Sequence, residues 1–275
     1  MRRPLFALSM LAFGYAFLYV PIAILIVYSF NDSRLVTVWS HASTRWYGEL
    51  FRNVQIGEAL WLSLRVAAVS ATFSVVLGTM AAFAMERIRR FRGRGPFEAL
   101  TMMPLILPEV LTGLSLLLLF VFLGDAIGWP GRRGATTITL AHITVGLAFA
   151  TVVIRARLSQ LDPALEQAAA DLGATPWRAF RRVTLPLLMP AIVAGWLLAF
   201  TLSLDDVVIA SFVTGPGAST LPIVIFSSVR LGVSPQINAL ATLLVLAVGV
   251  LIAGAMLILR RAEAGLRRNT DSSAF

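Results

Sequence analysis

The stretch DPALEQAAADLGATPWRAFRRVTLP, residues 162–186, lies between two apolar segments, and its local signals are too ordered for a simple linker. Asp162 followed by Pro163 is typical of a helix start, an N-cap and a first-turn proline. The residues through Leu172 favour a helix, and Gly173 supplies the left-handed residue that ends one. The sequence therefore predicts a short helix that stops at Gly173.

A second start signal, Thr175 and Pro176, predicts a second short helix that ends where Leu185 and Pro186 lead into the next apolar segment. The pair has a small-residue face and a basic, aromatic face, formed by Ala168 and Ala169 and by Trp177, Arg178, Phe180, Arg181 and Arg182. Such a knob suits insertion into the groove of a partner protein. An amphipathic hairpin on the anionic inner leaflet would use the same residues, so both interpretations stay open.

Outside this stretch the chain is strongly apolar. Of its 275 residues, 58% are hydrophobic and 13% are charged, whereas a soluble domain has about 25% charged residues. The first apolar segment is too long for a signal peptide and lacks a convincing cleavage site, so we expect it to be retained. Six segments are long enough to cross a bilayer: Leu5–Phe30, Ala59–Met85, Phe97–Leu123, Thr136–Ile154, Leu187–Val213 and Ala239–Leu259. The predicted fold class is an all-α polytopic membrane protein with six transmembrane helices.

The distribution of arginine predicts the orientation. All 23 basic residues are arginine, and the net charge is +9. Sixteen lie at the N-terminus, in the second and fourth connections and after the last segment, six lie in the other connections, and Arg65 lies at the outer end of the second segment. The positive-inside rule therefore places both termini in the cytoplasm. It also accounts for the Arg87–Arg94 cluster, so we expect no nucleic-acid partner.

The residue types that the chain lacks exclude several chemistries. It has no cysteine, no lysine and two histidines, His41 and His142. A disulfide framework or a Cys/His zinc site needs cysteine, and a Walker A phosphate loop or a Schiff base needs lysine. We find no HExxH or GxSxG motif. We therefore expect no catalytic residue, cofactor or metal in this chain, and we interpret His142 as a hydrogen-bonded packing residue.

Three carboxylates fall inside the apolar segments, where a charge is costly and indicates a function. Glu109 follows Pro108 and lies 12 residues into the third segment, which predicts a depth of about 18 Å. Asp205 and Asp206 are adjacent, so a continuous helix cannot turn both to one side. We name all three as candidates for a substrate path. The alternative is that Glu109 pairs with Arg65 or with a group of a partner subunit, and that the aspartates cap or break a helix.

The segments also suggest a division of the chain. We expect a first helix with an external segment over 1–58, a core of five helices over 59–259, and a cytoplasmic tail over 260–275. The core includes the connection at about 155–189. The external residues carry Trp39, Trp46 and Tyr47, which suit a short helix at the membrane surface.

The connection resembles the EAA loop of ABC importer permeases. QAAADLGA at 167–174 and VTLP at 183–186 match the family pattern, with nine residues between Gly173 and Val183. The chain departs from the pattern at Gln167, where the family has glutamate, and at Val183, where it has isoleucine. Glu166 is the neighbouring carboxylate that could partly replace the missing charge. The resemblance implies a loop that docks a cytoplasmic ATPase through Gln167, Ala168, Ala169, Asp171, Gly173, Leu185 and Pro186.

The rest of the chain resembles the permeases of polyamine importers, those for putrescine and spermidine. The matching stretches are GWLLAFTLSLDD at 195–206, TGPG at 214–217, LP at 221–222, NALAT at 238–242, YSFN at 28–31, TRWY at 44–47 and TGLS at 112–115. The resemblance implies an ABC type-1 permease in a bacterial inner membrane, with alternating access and putrescine as the expected substrate. Spermidine or another small solute stays open, as does an ion-coupled secondary transporter.

The same resemblance implies the partners. We expect a cytoplasmic ABC ATPase dimer that binds ATP–Mg, a second homologous permease subunit, an extracytoplasmic polyamine-binding protein and the membrane lipid. The missing lysine then reflects a division of labour, because the phosphate loop belongs to the ATPase.

Overall fold

Most of the described part of the chain is helical, and its long helices are apolar, as the sequence predicts. The computed structural model describes residues 2–250, apart from 36–37, 89–90 and 232–233. Its helices are α1 (Arg2–Tyr28), α2 (Arg45–Arg52), α3 (Val54–Arg87), α4 (Arg94–Ile106), α5 (Glu109–Ile127), α6 (Ala135–Leu158), α7 (Ala164–Asp171), α8 (Pro176–Ala179), α9 (Leu185–Asp205), α10 (Val208–Val213), α11 (Leu221–Leu231) and α12 (Pro235–Val250).

Five helical segments in the described part of the chain are long and apolar enough to cross a membrane. They are Phe6–Tyr28, Val54–Arg87, Glu109–Ile127, Ala135–Leu158 and Pro176–Asp205. The sixth predicted segment, Ala239–Leu259, begins within α12 and extends beyond residue 250, so its far half lies outside the described residues. The count of six and the cytoplasmic termini stay predictions.

The third predicted segment, Phe97–Leu123, is not one helix. Leu107 and Pro108 are extended, with ψ values of 138° and 139°, and they separate α4 from α5. Proline lacks an amide hydrogen and disfavours a helical conformation in the residue before it, so the helix ends at this point. The prediction that Glu109 lies 12 residues into a continuous helix is therefore wrong, since Glu109 is the first residue of α5.

The fifth predicted segment, Leu187–Val213, is also interrupted. The backbone is extended at Asp206, with ψ at 125°, between α9 and α10. No proline lies at this break. The Asp206 side chain instead accepts hydrogen bonds from the backbone amides of Ile209 and Ala210, at 3.2 and 2.7 Å. A short polar side chain that bonds the backbone in this way competes with a continuous helix.

The chain divides into two units. One consists of Met1–Val54 and Ser228–Phe275, and the other of Gln55–Ser227. In the first unit, the predicted external helix is present as α2, whose Trp46 indole donates to the backbone oxygen of Asn31 at 2.7 Å. The predicted boundaries at 58 and 259 stay a prediction.

Small residues set the packing in the second unit. A Cβ atom added to Gly146 of α6 would lie 2.5 Å from Ser74 Oγ of α3, and one added to Gly78 would lie 3.0 Å from the Ala150 Cβ. A Cβ atom added to Gly113 of α5 would lie 2.7 Å from the ring of Phe212 of α10. Small residues let membrane helices approach closely without a hydrophobic driving force between them. This packing brings α5, α6, α9 and α10 around one cavity.

Candidate functional site

All three predicted substrate-path residues line a cavity of about 370 Å³ in the second unit. It lies where α9 breaks and where α5 begins. Its polar lining consists of Glu109, His142, Ser203, Asp205 and Asp206, and Phe149 adds an aromatic ring. The cavity thus joins residues that are about a hundred positions apart in the sequence, together with His142, which the sequence did not single out as a site residue.

Asp206 is held in place by its neighbours. Besides the amides of Ile209 and Ala210, its Oδ2 atom lies 3.1 Å from Nε2 of His142. The Asp206 side chain is 11% exposed and that of His142 is 3% exposed. The alternative that an aspartate caps a helix at this break is therefore correct for Asp206, which caps α10.

His142 connects this carboxylate to a buried chain of hydroxyls. Its Nδ1 atom lies 2.6 Å from Ser203 Oγ, and Ser70 Oγ donates to Ser203 Oγ at 3.2 Å. Because a carboxylate only accepts, the network assigns the imidazole hydrogen to Nε2 and leaves Nδ1 to accept from Ser203. The prediction of a hydrogen-bonded packing histidine is confirmed. The chain from α3 through α9 and α6 also fixes Asp206 at the cavity wall.

Glu109 and Asp205 differ from Asp206. Both line the cavity and are exposed. Among the described residues, no hydrogen bond or ion pair joins either carboxylate to another side chain. The alternative that Glu109 pairs with Arg65 is wrong in this structure, because Arg65 lines a different cavity with α3 and α6 residues. The break in α9 removes the geometric objection to two adjacent aspartates, and both face the same cavity.

The connection at 162–186 forms the two predicted helices. Asp162 Oδ1 accepts from the Ala164 amide at 2.9 Å, and Gly173 has a φ of +78°, in the left-handed region. Thr175 Oγ1 accepts from the Arg178 amide at 3.4 Å, which begins α8. Both start signals and the glycine stop are therefore confirmed.

The predicted end of the second helix at Leu185 and Pro186 is wrong. A wide turn over Phe180–Thr184, in which the Leu185 amide bonds the Phe180 oxygen, continues α8 into α9. Pro186 falls in the first turn of α9 and has no amide hydrogen to donate there. A five-residue turn accommodates this gap and keeps the chain helical. The segment Pro176–Asp205 is thus one rod of 30 residues.

Glu166 fastens the connection to the rest of the unit. Its Oε1 atom accepts from Thr184 Oγ1 at 2.8 Å and from Arg87 Nε at 3.3 Å. Arg87 also donates to the backbone oxygen of Leu161, at 3.4 Å. Glu166 is therefore engaged within the chain, which makes it a poor replacement for the glutamate that the resemblance places at position 167.

Arg155 makes a second junction near this connection. It donates to Glu86 of α3 at 2.6 Å and also contacts Glu98 of α4. Sequence reasoning assigned Arg87 and Arg155 to topology alone, because nothing in the local sequence pairs residues that are 57 to 79 positions from their partners.

Four of the seven predicted docking residues are exposed on α7 or directly after it. This helix has no buried residue, and Gln167, Ala168, Asp171 and Gly173 are exposed. Leu172, at 90% exposure, lies at its end. A helix without buried residues, followed by an exposed leucine, is suited to binding a protein partner. Of the remaining predicted residues, Ala169 and Leu185 are partly buried and Pro186 is exposed on α9.

Comparisons with known proteins agree with one another. A family model described as "Binding-protein-dependent transport system inner membrane component" matches residues 74–268. The chain is 57% identical over 253 residues to the putrescine transport system permease protein PotI of Escherichia coli strain K12, covering 92% of this chain and 90% of that protein. It is 43% identical over 246 residues to the spermidine/putrescine transport system permease protein PotC of the same strain, covering 90% of each.

A solved structure shares the fold. A chain of a bacterial ABC transporter involved in the import of the acidic polysaccharide alginate superposes with a TM-score of 0.69 at 15% identity, covering 92% of this chain and 94% of that one.

Proposed function

The chain belongs to the family of binding-protein-dependent transport system inner membrane components, and we propose that it is one permease subunit of an ATP-driven importer of polyamines, with putrescine as substrate. It is a multi-pass protein of the inner membrane. The choice of substrate rests on the cavity, whose lining includes two carboxylates that bond no other side chain in the described part of the chain. It rests also on the similarity of the chain to putrescine and spermidine permeases.

Glu109 and Asp205 are the residues that contact the substrate in this proposal. A diamine with two ammonium groups loses its hydration in a membrane cavity, and that loss is costly unless carboxylates or other acceptors replace the water. Each of the two free carboxylates can take one ammonium group, while Asp206 remains bonded to His142 and α10. Phe149 offers the alkyl chain an apolar wall.

The partners follow from the same proposal. A cytoplasmic ATPase dimer binds ATP–Mg and receives α7, a second homologous permease completes the membrane part, and an extracytoplasmic polyamine-binding protein delivers the substrate. The exposed surface of α7 supports the ATPase contact. The chain has no lysine for a phosphate loop, so the nucleotide chemistry falls to that partner.

The continuous helix provides a route from the ATPase to the cavity. The rod Pro176–Asp205 begins beside α7 and ends at the carboxylates. At 1.5 Å per residue a rod of this length spans about 45 Å. A displacement of its first turn is therefore passed along a continuous helix towards Asp205. ATP drives this movement because it binds the two conformations of the assembly unequally.

Uptake in cells tests the proposal. A strain that lacks this gene receives the wild-type gene, a Glu109→Gln variant or an Asp205→Asn variant, and uptake of radiolabelled putrescine is measured at equal membrane expression. We expect the wild type to restore uptake and each variant to reduce it. Unchanged putrescine uptake on loss of the gene would overturn the assignment.

Spermidine is the second candidate substrate, because the chain is also similar to a spermidine/putrescine permease. Competition of unlabelled spermidine against labelled putrescine distinguishes the two. Uptake that persists without any ATPase and follows an ion gradient would instead indicate a secondary transporter.

A further inference from the structure

A large apolar groove lies between α3 and the rod that begins at α8. Its volume is about 670 Å³, and Thr79 is its only polar lining residue among those that the structure describes. Its other lining residues are Val75, Val76, Met80, Phe83 and Ala84 from α3, Ile88 directly after α3, and Trp177, Phe180, Leu185, Met189 and Ile192 from the rod. It is separate from the carboxylate cavity, which has a different lining.

Three aromatic rings form one end of this groove. Trp177 stacks on Phe180 with ring centroids 5.6 Å apart, and Phe83 meets Phe180 edge-on at the same distance. Trp177 is nevertheless 68% exposed, and Met80 in the groove is 65% exposed. Tryptophan with an apolar body and an exposed edge is typical of the boundary between lipid tails and headgroups. The aromatic end of the groove is therefore expected at that boundary.

Two arginines follow Phe180 on the rod, between residues that line the groove, although neither lines the groove itself. Arg181 and Arg182 precede Leu185 by one helical turn, and both are exposed. In the part of the chain that the structure describes, no hydrogen bond or ion pair is made by either guanidinium. Arg87 and Arg155 differ, since both are bonded to glutamates. Arg181 and Arg182 are thus available to a ligand.

We propose that this groove binds an anionic phospholipid of the inner leaflet, with acyl chains against α3 and α9 and its phosphate at Arg181 and Arg182. Basic pockets between membrane helices on the cytoplasmic side suit anionic headgroups, and arginine forms strong paired hydrogen bonds to phosphate. An apolar helix of a partner would fill the groove but offer no acceptor to the two guanidinium groups, whereas an anionic lipid supplies both the acyl chains and the phosphate. The proposal rests on the proposed function, which places this end of the groove on the cytoplasmic side of the membrane.

The sequence left open whether the connection at 162–186 docks in a partner protein or lies on the inner leaflet, and this assignment gives each role to a different part of the connection. The exposed residues of α7 face a protein partner, and the basic, aromatic residues after Thr175 face lipid. The two surfaces belong to successive helices joined at Gly173. Lipid in the groove would then stabilise the first turns of the rod that carries movement to the cavity.

The test uses the assembled transporter with its partner permease and ATPase, in nanodiscs of phosphatidylcholine with or without phosphatidylglycerol. Native mass spectrometry measures retained phosphatidylglycerol, and ATP hydrolysis stimulated by loaded binding protein measures its effect. We expect Arg181→Gln and Arg182→Gln each to weaken phosphatidylglycerol retention about fivefold, as an arginine near an anionic surface contributes about that factor. Retention equal to the wild type in the double variant would overturn the proposal.

Two tryptophan variants, one in the groove and one outside it, test the proposal without changing any charge. Met80→Trp places a bulky ring in the groove, whereas Leu77→Trp, one turn earlier on α3, places the same ring in a different cavity. We expect Met80→Trp alone to lower retention and the lipid dependence of ATP hydrolysis. Equal retention in both variants, or a cysteine crosslink from position 80 to the partner permease, would contradict a lipid occupant. Putrescine uptake in phosphatidylcholine alone would still support the transport function if the lipid proposal fails.

Discussion

Asp206 Oδ2 lies 3.1 Å from His142 Nε2 and so joins the break after α9 to the N-terminal third of α6. The same carboxylate caps α10 through two backbone amides. Asp205, its neighbour in sequence, has no such partner among the described side chains and faces the cavity. One aspartate therefore maintains the shape of the site, and the other is available to a cation.

This division predicts different effects of substitution at the two aspartates. Asp206→Ala removes a cap and leaves His142 buried without its acceptor, which costs about 1–3 kcal/mol. We expect a lower melting temperature of the purified assembly, with reduced transport as a consequence. Asp205→Ala should leave the melting temperature unchanged and still lower uptake. Equal destabilisation by both substitutions would contradict the division.

His142 should behave as a positioning residue. His142→Ala removes one hydrogen-bond partner from each of Ser203 and Asp206 and is expected to destabilise the assembly by about 1–3 kcal/mol. His142→Gln keeps one donor on this side chain and should restore part of that loss. The measurement is the melting temperature, with putrescine KM and maximal rate recorded separately. A large change in KM with no change in stability would instead indicate direct substrate contact.

Glu166 and Gln167 should have opposite sensitivities although they are adjacent. Glu166→Ala removes the contacts of α7 with Thr184 and Arg87, so we expect reduced copurification of the ATPase. Gln167→Glu changes an exposed side chain to the residue that the family pattern has, and it should be tolerated. Loss of ATPase with Gln167→Glu would show that this contact differs from the family pattern.

Gly173 should be sensitive to backbone conformation rather than to space. An added Cβ would meet no atom within 4 Å, but φ is +78°. Asparagine tolerates this conformation, whereas a β-branched residue does not. We expect Gly173→Val to weaken ATPase copurification and ATP-driven uptake, and Gly173→Asn to retain most of both. Equal loss in both variants would point to crowding by the partner rather than to backbone strain.

The sequence predicted those parts of the fold that depend on local signals. The apolar segments, both helix starts in the connection and the glycine at 173 follow from composition, caps and turn chemistry. The break at Pro108 could have been predicted from the sequence, because proline disfavours a helical conformation in the residue before it. The break at Asp206 was not, since it depends on amides and on a histidine that tertiary packing brings together.

The site was predicted in its residues but not in its division of labour. A charge inside an apolar segment was enough to single out Glu109, Asp205 and Asp206. Only the fold shows that His142, 64 positions away, engages one of them. The role of Glu166 was likewise hidden, because Thr184 and Arg87 reach it from elements far apart in the chain.

Initial uptake of labelled putrescine into proteoliposomes tests the central claim most directly. The assembly is reconstituted with its ATPase, partner permease and binding protein, carrying either the wild-type chain or the Glu109→Gln, Asp205→Asn double variant. Asp125→Asn, at the other end of α5 and in a different cavity, is the control. A hydrogen bond to a charged group contributes about 1.5–3 kcal/mol, so we expect the double variant to transport at least ~10-fold more slowly, with the control unchanged. Wild-type rates in the double variant would contradict the claim that these carboxylates receive the polyamine.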